Sequence, residues 1–245
     1  MDGLLRLLGE SKWNRHLVLR GSRLMAEWFP DEARNPGDLD WVVVPRSIHA
    51  DHLLARELLA GTIGLIEAQP LFGEASIAVT GITSDQIWSY ERCPGVRVMV
   101  PWKADGIPGG VIQMDFVFGE RLWIDPVAES VKLCDGSSVK LNVVPPELAL
   151  LWKMLWLYCD ISPQGKDVYD AVLLAETASF SLPMLKNALQ QSDSWWVGRD
   201  PSLSALAVPE WEAFITEYPW IPGDEEYWIG RLIQALQPSF EPRQE

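Results

Sequence analysis

Two carboxylates one residue apart, Asp38 and Asp40, lead into the apolar run Trp41-Val42-Val43-Val44. If this stretch is a β-strand, alternate side chains share a face, so Asp38 and Asp40 point one way and Leu39 and Trp41 the other. Carboxylates set side by side repel unless a cation lies between them. Magnesium suits such oxygen donors, because it binds through one or two carboxylates together with the phosphates of a substrate. Upstream, Gly21-Ser22 marks the handover from a strand to a helix, where free backbone N–H groups can hold a phosphate. A third acid, Asp115, interrupts the apolar segment Val111 to Phe118. Buried there, it is costly unless paired or metal-bound. The other reading is an edge strand with Asp115 in solvent. A phosphate cradle followed by paired carboxylates points to nucleotide chemistry. Each signal has a plain alternative, since glycine is common at strand-to-helix turns and Asp at strand starts.

These residues need elements to position them. The pattern predicts a leading helix over Leu4–Leu8, a strand over Leu17–Arg20, a helix over Ser22–Trp28 and a turn at Arg34-Asn35-Pro36-Gly37. A second strand follows over Leu39–Val44, its apolar run implying burial on both faces. His49–Leu59 reads as a helix with leucines 53, 54, 58 and 59 as its apolar stripe. His49 and His52, three apart and without a third ligand, fit a solvated helix face better than a metal site. Between Gly61 and Trp102 a strand pair and loops are expected, with apolar segments at Ser76–Val79 and Val96–Val100. Gly109-Gly110 opens the Val111–Phe118 strand, and Val139–Val143 is a further one.

Past residue 144 the pattern turns helical: Glu147–Cys159 behind Pro145-Pro146, then Gly165–Ala178, Leu182–Gln190, Pro209–Glu217 and Glu225–Leu236. That change places a domain boundary there, giving domains 1–144 and 145–245. Lys153 is the one cation in the first of these helices. It either snorkels to water or faces a triphosphate. Lys166 and Asp170 have the spacing of a surface ion pair, and Asp167 that of a helix-dipole partner.

The chain has 245 residues, enough for a sizeable core, and its composition is that of a soluble globular protein. No apolar run is long enough to span a membrane, and the Met-Asp-Gly start lacks the signature of a signal segment. Cys93, Cys134 and Cys159 show no CxxC spacing, which favours a reducing, cytoplasmic setting with the thiols packed as small apolar groups. A formal charge of −14 argues against broad affinity for nucleic acid without excluding a local basic patch. Thirteen tryptophans, spread from Trp13 to Trp228, are expected to serve mainly as core and interface bulk.

Taken in order, the motifs resemble those of the abortive-infection nucleotidyltransferases of the AbiEii/AbiGii toxin type, within the polymerase-β-like nucleotidyltransferase superfamily. The resemblance covers residues 15 to 178. It rests on Leu19-Arg20-Gly21-Ser22, where many members have a second glycine at Arg20, and on Arg34-Asn35-Pro36-Gly37-Asp38-Leu39-Asp40. The Lys153 helix and Lys166-Asp167-Val168-Tyr169-Asp170 complete it. Pro163-Gln164-Gly165 stands where members carry an arginine ahead of that lysine.

The resemblance implies an α+β fold: a polymerase-β-like mixed sheet flanked by helices, followed by a C-terminal helical domain. It implies a magnesium- or manganese-dependent enzyme that moves a nucleoside monophosphate from ATP, GTP, CTP or UTP to an acceptor hydroxyl. Asp38, Asp40 and Asp115 are then the metal-binding and catalytic carboxylates, with Asp115 completing a second metal site or taking the acceptor's proton. Gly21, Ser22, Arg34, Lys153 and Lys166 handle the nucleotide. Asp167 and Asp170 anchor these cations, and Asp170 also contributes to catalysis. The implied acceptor is RNA, in particular a tRNA end, or a protein, and the implied partner a cognate antitoxin. A small-molecule enzyme acting on cationic aminoglycosides suits the acidic chain better, and a non-enzymatic binding module on the same fold is the third reading. The Trp-rich C-terminal third matches no motif.

Overall fold

The computed structural model describes residues 1–89, 93–160, 163–206 and 210–241. The chain divides into two compact units, one of residues 1–122 with 126–144, the other of residues 145–245 with 123–125. It has the expected α+β architecture, a mixed sheet with flanking helices in the first unit and helices in the second.

In the first unit, α1 (Asp2–Gly9) precedes β1 (Leu17–Arg20), α2 (Ser22–Trp28) and β2 (Asp38–Val43). Then come α3 (Leu53–Ala68), the short β3 (Leu71–Phe72) and β4 (Ala75–Ile77), β5 (Thr83–Ser89), and the long pair β6 (Cys93–Ala104) and β7 (Ile107–Val117). β8 (Val127–Lys132) and β9 (Ser138–Val143) end the unit. The strands form one sheet in the order β3-β4-β6-β7-β2-β1-β9-β8, with β5 pairing β6 beyond the end of β4. β1 runs antiparallel to β2 and parallel to β9, and β2 runs parallel to β7. Leu19, Leu39, Trp41, Val98, Met114 and Phe116 are fully buried, and their alternation sends the intervening residues to the opposite face.

Several sequence expectations need correction. β7 begins at Ile107, so Gly109 and Gly110 lie within the strand; it is also an interior strand, between β6 and β2, which excludes the edge-strand reading of Asp115. The helix expected at His49–Leu59 spans Leu53–Ala68 and buries Ala55, Leu58, Thr62 and Ile66. Leu53 is 72% exposed, because helical periodicity puts it off the face that starts at Ala55. His49 and His52 precede this helix, exposed, with His52 as its N-cap. Cys134 is exposed on the turn between β8 and β9 and is not packed away.

The second unit contains α4 (Pro146–Cys159), α5 (Gly165–Ala175), α6 (Leu182–Ser192), α7 (Trp211–Glu217) and α8 (Glu225–Phe240). Pro209, expected to start the helix that forms α7, lies outside the described residues. α5 is buried along almost its whole length, against α4, α7 and α8. Tyr169, Trp211, Phe214 and Trp228 cluster there with ring centroids 4.8 to 6.3 Å apart, so much of the tryptophan-rich tail is core. Trp195 and Trp220 remain exposed. Among the described residues no helix is long and apolar enough to cross a membrane.

Candidate active site

The first-unit candidates meet where β1 ends and α2 begins. Gly21 takes φ +81 and ψ −155 at the N-cap of α2, a conformation open to glycine but strained for other residues. This turns the chain sharply, so that Ser22 starts the helix and its Oγ donates to Asp38 Oδ1 at 3.0 Å. A helix start leaves backbone N–H groups without intrahelical acceptors, and these suit an anion. Arg34 is buried in the connection that leads to β2.

Register decides which acids share a face. Asp40 is directly opposite Arg20 on β1 and Asp115 on β7, and Asp38 is opposite Gln113. Asp115 in turn faces Arg97 on β6, and Arg97 faces Asp85 on β5. Residues opposed across neighbouring strands project from the same side. A transverse row, Arg20–Asp40–Asp115–Arg97–Asp85, therefore crosses five strands on the face that Asp38 shares. Asp38, Asp40 and Asp115 are thus brought to one side of the sheet, beside Gly21 and Ser22.

Asp115 has a partner that the sequence pattern did not reveal. Arg97 Nε donates to its Oδ1 and Arg97 Nη2 to its Oδ2, both at 2.9 Å, while Gln113 Nε2 donates to Oδ2 at 3.2 Å. This is the forked guanidinium–carboxylate geometry, which is stronger than a single bond. The bond to Asp115 holds the Arg97 guanidinium above its ordinary range despite partial burial; the charges of Asp115, Asp38 and Asp40 act the same way. Arg20, buried on β1, bonds Glu120 at 3.0 Å.

That pairing bears on the expected metal site. Asp38 and Asp40 are half-buried, adjacent on one strand face and next to the helix start, a donor set that fits a divalent ion shared with substrate phosphates. Asp115 does not fit the expected three-carboxylate site, because Arg97 and Gln113 hold both its oxygens. Among the described residues no three acidic, histidine or cysteine side chains are grouped closely enough to bind a metal.

The remaining candidates belong to the second unit. Lys153 Nζ on α4 reaches Asp167 Oδ1 at 2.9 Å and Asp170 Oδ2 at 3.0 Å on α5. Both aspartates are nearly inaccessible, at 3% and 2%. The ammonium also lies 4.9 Å from the centre of the Trp156 ring. Asp170 therefore bonds Lys153 from the next helix. Lys166, the partner its spacing suggested, is exposed.

The first unit thus sets a strand–turn–helix beside a strand with paired acids. The fold is similar to that of MenT4, the nucleotidyltransferase toxin Rv2826c from Mycobacterium tuberculosis H37Rv. The TM-score is 0.55 over 97% of this chain and 90% of that one, at 15% identity, which is a likeness of fold. No curated protein matches the sequence. A family model described as nucleotidyl transferase AbiEii toxin, type IV toxin–antitoxin system, matches residues 3–217. The chain belongs to this family, and it is a nucleotidyltransferase.

Proposed function

We propose that the chain transfers a nucleoside monophosphate from a nucleoside triphosphate to a hydroxyl of RNA, with a tRNA end as the leading acceptor. It would act in the cytoplasm as the toxin of a type IV pair, opposed by a cognate antitoxin. The observation that carries this reading is the joint placement of Gly21, Ser22, Asp38 and Asp40. A helix start able to grip phosphate stands beside two carboxylates able to share a cation with it.

In the reaction the acceptor oxygen bonds to the α-phosphorus as the bond from that phosphorus to the pyrophosphate oxygen breaks. Such transfers need mainly alignment and neutralisation of charge spread over the phosphoryl oxygens. Ser22 and the backbone N–H groups at the start of α2 orient the outer phosphates. Asp38 and Asp40 would hold magnesium or manganese, which supplies charge neutralisation and polarises the phosphoryl oxygens when bound. The nucleotide-handling roles expected of Arg34, Lys153, Lys166, Asp167 and Asp170, including a contribution of Asp170 to catalysis, stand as part of this proposal.

One observation favours a second acceptor class. A formal charge of −14 suits a cationic small molecule such as an aminoglycoside better than a polyanion. Incubation with each α-labelled triphosphate, Mg²⁺, total tRNA and aminoglycosides distinguishes them by which acceptor gains label. Labelled tRNA supports the first reading and labelled aminoglycoside the second. No transfer to tRNA, protein or small molecule from any of the four triphosphates would overturn both.

A further inference from the structure

We propose that Arg97 takes the place of a second divalent ion in this site, so that the chain works with one metal ion and one guanidinium. The inference rests on the nucleotidyltransferase reading and concerns how its site is charged.

Enzymes that use two metal ions set them about 3.5–4 Å apart, bridged by shared carboxylates. Here the third carboxylate on the face is Asp115, opposite Asp40 in register. Its two oxygens are instead taken in a fork by Arg97 Nε and Nη2, and Gln113 adds a third bond from the same strand. A dication ligated by Asp115 would compete with the forked guanidinium for the carboxylate's lone pairs and would lie against its positive charge. The accessibilities point the same way: the Asp115 side chain is 9% exposed and that of Arg97 38%. The pair therefore presents a cation to solvent on the face that carries Asp38 and Asp40.

Arginine suits this office. It stays charged at any working pH and has five N–H donors, of which the fork uses two. The remaining donors can take a phosphate oxygen of the nucleotide or of the acceptor strand, as a metal ion would. Asp38 and Asp40 keep the single-ion role.

Manganese electron paramagnetic resonance on the full chain, with a non-hydrolysable α,β-methylene triphosphate, tests this. The expected result is one magnetically isolated Mn²⁺ per chain, unchanged in Asp115→Asn because that residue is not a ligand. Arg97→Gln frees Asp115 and is expected to admit a second, spin-coupled ion. The double variant Arg97→Gln/Asp115→Asn returns to one. A coupled pair in the wild type, or loss of an ion in Asp115→Asn, overturns the proposal while leaving the transferase reading intact. Folded wild-type chain that binds neither Mn²⁺ nor the analogue overturns the reading beneath it as well. If Arg97→Gln does not fold, the wild-type and Asp115→Asn counts still decide.

Discussion

No side chain fits between residue 21 and Asp40: a Cβ built on Gly21 would lie 2.3 Å from Asp40 Oδ2. The glycine turn and the second carboxylate are thus closely apposed, and each limits where the other can be. Gly21→Ala combines this clash with a positive φ that L residues resist. The carboxylate must shift or the turn must open, and displacement of about 1 Å at a reacting centre costs on the order of 10²-fold in rate. Gly21→Ala is expected to lose that much transfer activity. Steady-state kinetics alongside a thermal melt checks it; wild-type rates in a folded Ala variant would remove the turn from the mechanism.

Asp38→Asn and Asp40→Asn each remove one charge from a crowded pair and keep its shape. Transfer is expected to fall by at least about 10²–10³-fold, the scale for loss of one preorganised electrostatic group. Stability is expected to hold or rise slightly, because like-charge repulsion is relieved. Label transfer and urea midpoints measured on the same preparations separate the two effects.

Lys153 holds two buried carboxylates together. Lys153→Met removes the cation and leaves Asp167 and Asp170 facing each other in the helical unit. Breaking a buried pair this way costs about 3–5 kcal/mol. Adding Asp167→Asn and Asp170→Asn to the Met variant is expected to restore part of the loss. A urea series on the three chains reads this directly, and a null effect of Lys153→Met would show that the cluster adds nothing to stability.

Tyr158 Oη donates to the Ser202 carbonyl at 2.9 Å, and burial pushes the phenol well above its ordinary range. A folded-state pKa raised above the unfolded one means that the stabilisation is complete below about pH 10. It is lost as pH rises toward the folded value, because only the unfolded chain has given up the proton there. Between pH 10 and 11 the wild type is expected to lose about 1 kcal/mol more than Tyr158→Phe. Urea midpoints of both chains at pH 9 and 11 test this, and parallel declines would exclude Tyr158 as the cause.

Much of the site was legible without coordinates. Gly21-Ser22 announced a strand-to-helix turn, and α2 has the bounds the pattern predicted. The alternation of Asp38, Leu39, Asp40 and Trp41 told which side chains share a face, because a strand has period two. Lys153 stood out as the one cation of an apolar helix, whereas Asp167 read as a helix-dipole partner and Asp170 as half of a surface pair with Lys166. That Lys153, Asp167 and Asp170 meet required the packing of α4 on α5.

Arg97 shows where sequence stops. The Asp105–Gly106 turn joins β6 to β7, and such a dipeptide is a strong hairpin signal. Counting strictly back from Ala104 opposite Ile107 would put Arg97 across from Met114, on the wrong face for Asp115. The register slips by one: Trp102 faces Gly110, so two steps on β6 match three on β7. The extra residue lies at Pro108-Gly109, where a Cβ on Gly109 would come within 2.7 Å of the Trp102 carbonyl oxygen. A one-residue bulge moves every later side chain to the other side relative to its neighbours. Local patterning determined β1, β2, β9, the turn and the residues able to do chemistry, since those follow from periodicity and backbone preference. The bulge, and with it the cation that meets Asp115, was decided only by strand pairing, where hydrogen bonding between distant segments selects one register from several.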